Sequence, residues 1–236
     1  MNRKLTPGAM IPVYLAVCAA ILALTSVGNR AVTVIAMSAP LPDRHSIIID
    51  AGHGDPDGGA VSCTGVFESG INLQISRRLC DLFRFLGYDA QMTRETDSSV
   101  YTQGNTIGEK KISDLKERAR IINSADHAIL LSIHQNHYTD SRYGGAQMFW
   151  ADTNGSRELA EALQTAFVTH LNPGSNRAAK QSQGIWLMAH VECPAVLVEC
   201  GFLSNPAEEA KLRDSEYQQK ICCVIVSALS KYLSNT

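Results

Sequence analysis

The sequence predicts a three-layer α/β domain in which a mostly parallel, twisted sheet of about six strands carries helices on both faces. Short apolar runs rich in β-branched residues alternate along the chain with segments whose apolar residues recur at helical spacing. A strand, a helix and a second strand follow one another within about 50 residues, as in a βαβ crossover. These two patterns together indicate parallel strands joined by helices.

The first strand is predicted at Ser46 to Asp50, because three consecutive isoleucines suit a strand that is buried on both faces. A long helix follows, with Ser69 as its expected cap and Gly87 at its end. Tyr88 to Thr93 is predicted to form the second strand. The apolar face of the helix is expected to consist of Ile71, Ile75, Leu79, Leu82, Phe83 and Leu86.

A polar, glycine-containing loop is expected over Ser98 to Lys111, and Ser113 is expected to cap the second helix. The inward-facing residues of this helix are expected to be Leu115, Ala119 and Ile122. The outward-facing residues are expected to be Lys116, Glu117, Arg118 and Arg120. The remaining predicted strands are His127 to Ile133, Gly145 to Trp150, Gly184 to Met188 and Pro194 to Val198. The remaining predicted helices are Ser156 to Leu171 and two that begin at Pro206 and Ser215.

The N-terminal 44 residues differ from the rest of the chain. Arg3 and Lys4 precede an uncharged apolar run from Ile11 to Val27, which is typical of a membrane anchor or a signal peptide. Ala36-Met37-Ser38 resembles a cleavage site, so both interpretations stay open. We expect residues 1–44 to form the anchor or signal with a linker, residues 45–236 to form one catalytic domain, and the domain to be exported.

Composition excludes several classes of partner. The 23 acidic and 21 basic residues give a net charge of −2, and no basic stripe indicates binding to nucleic acid. The seven cysteines form no CxxC pair, so neither a zinc ribbon nor a redox motif is predicted. Most are expected to be buried thiols, and a bridge between Cys63 and Cys193 is left open.

Four polar residues occupy equivalent places in the predicted fold: His53 after the first strand, Glu68 at the start of the following helix, His134 at the end of the third strand and Glu199 at the end of the last. The carboxyl ends of strands in an open α/β sheet form a common crevice, so these side chains are expected to converge. Each also has a simpler explanation. His53 could be an exposed loop residue, and Glu68 could be favoured at a helix start by the helix dipole alone. His134 could be a core histidine, and Glu199 a carboxylate that merely ends a strand.

Two imidazoles and one carboxylate are a donor set that suits Zn²⁺ and leaves a fourth position open for water. Glu199 would then act as the catalytic base, taking a proton from that water and passing it to a leaving amine. The pattern therefore predicts metal-assisted hydrolysis of an amide, with His53, Glu68 and His134 as ligands of one zinc ion.

Four blocks of sequence carry a resemblance to a known family: IIIDAGHGDPDGGA, GVFESGINLQI, LSIHQN and AVLVECGFLSNPAE. In this order they resemble the zinc-dependent N-acetylmuramoyl-L-alanine amidases of type 3 from bacterial cell walls. The resemblance implies cleavage of the amide between N-acetylmuramic acid and the L-alanine of the peptidoglycan stem peptide. It places the metal ligands on His53, Glu68 and His134, the catalytic glutamate on Glu199 and a substrate contact on Asn136.

The segment TIGEKKISDLKERARIIN resembles the subgroup that acts on the spore cortex in sporulation and germination. The resemblance implies an activating lipoprotein or another accessory protein as partner, and a location at the membrane, in the cell wall or in the forespore intermembrane space. Asp50 is expected to orient His53 through its second ring nitrogen. His137 is expected on the surface, and Cys200 in the core on the sheet face opposite to Glu199.

Three alternatives remain open from the sequence. A zinc peptidase could cut within the stem peptide, or the chain could be a wall-binding module that keeps zinc only for stability. A cysteine hydrolase that pairs Cys200 with His134 is disfavoured, because Cys200 is predicted to face the core.

Overall fold

A six-stranded sheet forms the centre of the computed structural model, which describes residues 45–235. The strand order is β2-β1-β3-β6-β4-β5; β4 runs antiparallel to β6, and the other neighbouring pairs are parallel. The strands are β1 (Ser46–Ala51), β2 (Asp89–Met92), β3 (Ala128–Asn136), β4 (Gln147–Trp150), β5 (Lys180–Gln181) and β6 (Ala195–Phe202). The predicted fold class is confirmed.

Helices cover both faces of the sheet, as alternating strands and helices predict. The helices of the described residues are α1 (Glu68–Phe85), α2 (Ile107–Asn123), α3 (Ser156–His170), α4 (Pro206–Leu212) and α5 (Ser215–Leu233). The helices α1, α3 and α5 contribute to the larger apolar cluster on one face, and α2 contributes to a smaller cluster on the other. A short 3₁₀ helix, Leu187–Ala189, belongs to the smaller cluster.

The isoleucines of β1 show how one strand serves both clusters. Ile47 and Ile49 pack in the larger cluster, whereas Ile48 packs in the smaller one, and all three are fully buried. Successive side chains of a strand point to opposite faces, so a strand that is covered twice needs an uninterrupted apolar run. The next residue in the run, Asp50, lies on the same face as Ile48 and α2.

Two helices begin where the sequence did not place them. The cap of α1 is Phe67, so Ser69 lies within the first turn instead of capping the helix. Helix α2 begins at Ile107 with a capping box formed by Thr106 and Glu109, six residues before the predicted start. Ser113 lies inside this helix, and its hydroxyl accepts hydrogen bonds from the backbone N–H groups of Thr102 and Gln103.

The prediction that Arg118 faces solvent is wrong, because this residue is only 2% exposed. Residues 115, 118, 119 and 122 share one face of a helix through their i, i+3, i+4 and i+7 spacing. Only the charge of Arg118 favours an outward position, whereas its helical spacing favours burial. Its burial is compensated by ion pairs with Asp50 and Asp114, at 2.6 Å and 2.7 Å.

The predicted strand at Gly184 to Met188 is also absent from the described sheet. The fifth strand is instead Lys180–Gln181, which pairs with β4. Leu187 and Met188 are buried against the sheet face in the smaller cluster, so this apolar run covers the sheet and does not join it. The last strand, β6, continues beyond the predicted end at Glu199 to Phe202.

Cys63 and Cys193 are free thiols, and their places in the fold explain why. Cys63 donates its backbone N–H to Leu203, just after β6 ends, whereas Cys193 lies two residues before β6 begins. Eight residues of strand, about 26 Å at 3.3 Å per residue, lie between the two ends, far beyond the reach of a disulfide. Cys200 is buried in the larger cluster, as predicted.

The anchor or signal segment predicted for residues 1–44 lies outside the described residues and stays a prediction. Among residues 45–235, no helix has both the length and the apolar character needed to span a bilayer.

Candidate metal centre

The site lies at the carboxyl ends of β1, β3 and β6, where the topology predicted it. His53 follows β1 by two residues and has a left-handed backbone, with a φ of 62°. His134 on β3 is paired in register with Glu199 on β6. Paired residues of neighbouring strands project from the same face, so His134 and Glu199 lie side by side.

Three side chains from distant parts of the chain meet at this edge of the sheet. His53, Glu68 and His134 each offer a ligand atom, and these atoms lie within 4.8 Å of one another. The Nε2 atom of His53 is 3.3 Å from Oε2 of Glu68, and the Nδ1 atom of His134 is 3.0 Å from Oε1. The fold therefore brings these three side chains together.

Backbone and amide donors fix the Glu68 carboxylate between the two imidazoles. Oε1 accepts hydrogen bonds from the side chain of Asn72 and from the backbone N–H of Gln135, both at 3.0 Å. Oε2 accepts the N–H of Ala60, also at 3.0 Å. Burial opposes the charged form, but the bonds and charges of His134 and His53 hold the pKa of Glu68 well below its usual range.

Two glycines make room for the side chains of His53, Glu68 and His134. A Cβ atom on Gly52 would lie 2.2 Å from the ring of His134, so this ring packs directly on the backbone of the loop. A Cβ atom on Gly59, whose φ is +70°, would meet both His53 and the Glu68 carboxylate at under 3 Å. A side chain at either position would displace a donor.

Asp57, rather than Asp50, orients His53. The Nδ1 atom of His53 is 3.0 Å from Oδ2 of Asp57, which leaves Nε2 directed at Glu68. Burial lowers the pKa of His53, but hydrogen bonds to Asp57 and Glu68 outweigh it and raise the pKa to about 9. The contact with His53 is in turn the main reason why the pKa of Asp57 lies well below its usual range.

The expectation that Asp50 contacts the second nitrogen of His53 is therefore wrong. Asp50 points to the α2 side of the sheet, where its carboxylate accepts hydrogen bonds from Arg118, Thr93 and Ser132 at 2.6 to 2.7 Å. Burial works to raise the pKa of Asp50, but Arg118 and the two hydroxyls lower it to about 2.

Glu199 has the environment of a proton carrier. Its Oε2 atom is buried and has no hydrogen-bond partner among the described residues. Burial raises the pKa of Glu199 to about 7, against the opposing effect of the nearby His134. A carboxyl group that titrates near neutral pH can both accept and return a proton.

Two open depressions adjoin the four residues. A cleft of about 280 Å³ is lined by His53, His134, Asp57 and Trp186, among other residues. A second depression of about 730 Å³ is lined by Glu199 together with Asn136, Trp150, Lys180 and Ile185. A substrate thus has access to the donors and to Glu199 from the surface.

A family comparison identifies this arrangement. The model of the N-acetylmuramoyl-L-alanine amidase family matches residues 47–231, which include all four candidate residues and most of the described chain. The chain belongs to this family. The resemblance carried by the four sequence blocks is confirmed, and with it the hydrolase class of the protein.

Individual relatives of this amidase agree in sequence and in fold. A germination-specific N-acetylmuramoyl-L-alanine amidase of Bacillus subtilis is 34% identical over 199 residues, covering 84% of this chain and 83% of the relative. The solved structure of the CwlD amidase from Clostridioides difficile, in complex with the GerS lipoprotein, has a TM-score of 0.78 and 38% identity. The match covers 81% of this chain and 100% of the CwlD chain. The crystal structure of an N-acetylmuramoyl-L-alanine amidase from Clostridium difficile 630 has a TM-score of 0.69 and 30% identity. This match covers 80% of this chain and 97% of the relative.

The other histidines lie apart from the three donors. His137 is exposed, as predicted, and so are His127, His170 and His190. The ring of His190 stacks on Trp186, with the centroids 3.7 Å apart. Among the described residues, the group of metal-ligating side chains is limited to His53, Glu68 and His134.

Sequence reasoning missed Asp57 and two buried arginines, Arg94 and Arg118. Asp57 lies four residues after His53 in the motif HGDPD, so a carboxylate in the same glycine-rich loop was the available signal. Arg118 could have been found from its helical spacing to Leu115 and Ile122. No comparable pattern marks Arg94, which lies two residues after the end of β2.

Proposed function

We propose that this chain hydrolyses the amide between N-acetylmuramic acid and L-alanine in peptidoglycan, with His53, Glu68 and His134 as ligands of one Zn²⁺ and Glu199 as the catalytic residue. The observation that carries the proposal is the convergence of these three side chains beside a buried carboxyl oxygen of Glu199, which has no hydrogen-bond partner within residues 45–235. Membership of the family supports the reaction type.

The donor set fits zinc. Two imidazoles and a carboxylate are a usual set of protein ligands for a catalytic zinc ion, which keeps a further position open. Asp57 supports the assignment because ligating histidines commonly donate their other N–H to a carboxylate. When bound, zinc supplies Lewis acidity and lowers the pKa of a coordinated water toward about 7.

Glu199 accepts a proton from the attacking water and returns it to the amine that leaves from muramic acid. Burial raises its pKa toward neutral pH, which suits both steps, since a shuttle must bind and release the proton at the same pH. Asn136, at the end of β3, lines the depression that contains Glu199, and we assign it to substrate contact. Its own carbonyl is held by the N–H of Leu203 at 2.8 Å.

We infer that residues 45–236 form the catalytic domain and that residues 1–44 export it, as an anchor or as a cleaved signal. Peptidoglycan lies outside the membrane, so the substrate requires export. Similarity to a germination-specific amidase supports the spore cortex as the substrate.

An activating lipoprotein is the partner that we propose. Support comes from the relative whose structure was solved with the GerS lipoprotein and which this chain covers along its whole length. A lipoprotein would also retain the amidase at a membrane surface if the N-terminal segment is cleaved.

The test is muropeptide analysis after the purified protein is incubated with sacculi, with zinc and with a chelator. We expect free stem peptides that begin with L-alanine, and glycan strands that keep intact muramic acid, only when zinc is present. Truncated peptides still attached to muramic acid would indicate a peptidase instead. No release with zinc would favour a binding module, and full release in chelator would refute the role of the metal.

A further inference from the structure

Two buried arginines hold the backbone of the loop that carries His53. Arg118 is 2% exposed and Arg94 is 4% exposed. Together they donate hydrogen bonds to the carbonyl groups of three consecutive residues, Ala51, Gly52 and His53. Consecutive carbonyls at the end of a strand are seldom all bound by side chains, because most buried carbonyls pair with backbone N–H groups.

Arg118 reaches this loop from helix α2. One Nη atom donates to the carbonyl of Ala51 at 2.8 Å and to Asp50 at 2.6 Å, and the other donates to the carbonyl of His53 at 2.6 Å. The Nε atom donates to Asp114, one turn earlier on the same helix, at 2.7 Å. The guanidinium plane is therefore fixed by two carboxylates while it binds the ligand loop.

Arg94 reaches the same loop from the end of β2. Its Nε atom donates to the carbonyl of Ala51, and one Nη atom donates to the carbonyls of Gly52 and Ser69, at 2.8 to 3.0 Å. Ser69 is the residue after Glu68. Arg94 thus links the backbone next to His53 to the backbone next to Glu68.

The backbone of His53 explains why such a support is needed. With a φ of 62°, His53 occupies the left-handed region, which non-glycine residues adopt rarely and at a cost in energy. Arg118 pairs with two buried carboxylates, but the ion pair of Arg94 among the described residues is with the exposed Asp97 at 3.5 Å, so ion pairing alone does not explain why both guanidinium groups are buried. The bound carbonyls belong to His53, to the two residues before it and to the residue after Glu68, which indicates a role in positioning His53 and Glu68.

We infer that Arg118 and Arg94 are positioning residues that hold His53 and Glu68 in their metal-binding orientation, by fixing the backbone from Ala51 to His53 and the backbone just after Glu68. The inference rests on the proposed function, in which these two residues are zinc ligands. Lysine keeps the charge at either position but loses the planar fork that binds several carbonyls at once.

The test is the zinc affinity of Arg118→Lys and of Arg94→Lys, measured by competition with a chelator of known affinity. Unfolding of each variant by urea in excess chelator gives the folded fraction, by which the affinity is corrected. The matched control is Arg120→Lys, because Arg120 lies on the same helix, is exposed and pairs only with Glu117 among the described residues. The milder variant Asp114→Asn removes the charged partner of the Arg118 Nε atom and serves if a lysine variant does not fold.

We expect each lysine variant to bind zinc about tenfold more weakly, within the range found when groups supporting a metal ligand are replaced. Asp114→Asn is expected to weaken binding less, and Arg120→Lys to stay within twofold of the wild type. Wild-type affinity in the folded fraction of the variants would overturn the inference and leave a purely structural role. If the wild type itself binds no zinc, the proposed function fails instead.

Discussion

Glu199 has a pKa raised to about 7 and a buried carboxyl oxygen that no group in the described part of the chain hydrogen-bonds, and both features follow from its place on β6. The strand runs between β3 and β4, so a side chain near its carboxyl end is shielded by neighbours on both sides. The register sets Glu199 beside His134. A charged carboxylate is costly in such a position when its oxygen has no hydrogen-bond donor, and this cost is the main reason why the pKa of Glu199 is raised.

Glu199→Gln is expected to leave the fold and zinc binding intact and to lower the rate of amide cleavage by 10² to 10⁴-fold, because glutamine cannot accept a proton. Release of stem peptides from sacculi measures the rate, and zinc content measures metal binding. Glu192→Gln is the control, since Glu192 is exposed and lies before the start of β6. Unchanged activity of Glu199→Gln would remove Glu199 from the mechanism.

Asp57 is the residue that orients the first donor, so Asp57→Asn is expected to weaken zinc binding by about 10- to 100-fold. The amide can still contact His53, but it loses the charge that favours a proton on Nδ1 and a free Nε2. Titration with zinc against a competing chelator measures the effect. The control is Asp55→Asn in the same loop, at an exposed position. Equal losses in both variants would argue against a specific role for Asp57.

At the scale of elements, the loop between β1 and α1 builds most of the site. It begins with Gly52 against the ring of His134 and ends with Glu68 in the first turn of the helix. His53 lies near the start of this loop and Glu68 at its end, and the loop brings the two side chains together. Strand β3 supplies the third metal-ligand candidate, His134. A change in the loop backbone should therefore act on all three donors.

Gly52→Ala tests this dependence, because the added methyl group would lie 2.2 Å from the His134 ring and must displace it. We expect zinc affinity to fall by at least about tenfold. Gly70→Ala is the control: a Cβ atom on Gly70, within α1, meets no atom within 4 Å. It should keep wild-type affinity and raise the free energy of unfolding by about 0.5–1 kcal/mol. Equal zinc affinity in the wild type and Gly52→Ala would show that the ring does not depend on this close contact.

Sequence patterns predicted the strands and helices well where apolar periodicity was strong, as in β1, α1 and α3. These patterns failed where a segment fitted two kinds of local structure. The helix starts at the capping box of Thr106 and Glu109 and not at Ser113, but Gly108 and the charged residues Glu109 to Lys111 give this segment the composition of a loop. Leu187 and Met188 have an apolar pattern that fits a strand as well as a segment covering the sheet. Only tertiary packing decides between such readings.

At the scale of the whole molecule, Asp50 connects the sheet to α2 through Arg118. Its pKa falls from 3.8 to about 2 in the folded chain, which corresponds to about 2 kcal/mol of stability. Because the folded pKa is the lower one, this stability is complete above pH 4 and is lost as the pH falls toward 2.

Asp50→Asn is expected to lower the free energy of unfolding by about 3–5 kcal/mol near pH 6, because Arg118 loses a buried partner. It should also reduce the loss of stability between pH 4 and pH 2. Urea unfolding of both proteins at several pH values, in chelator, measures both effects. An identical pH dependence in the variant and the wild type would exclude Asp50 as a source of acid sensitivity.

The sequence predicted those residues of the site whose positions depend on the order and direction of the strands. His53, His134 and Glu199 follow or end strands, and parallel strands bring their carboxyl ends to one edge. The roles of Asp57 and Arg118 were not predictable in this way. Asp57 depends on the course of a glycine-rich loop, and Arg118 depends on whether a buried charge finds partners, which only the assembled fold decides.

The most direct test of the metal centre is zinc anomalous diffraction from crystals of the protein grown with zinc. We expect one strong peak at about 2.0–2.2 Å from a nitrogen of His53, an oxygen of Glu68 and a nitrogen of His134. The peak should disappear in His134→Ala at the same zinc concentration. The absence of a peak at this position in saturating zinc, or a peak bound by other side chains, would contradict the account.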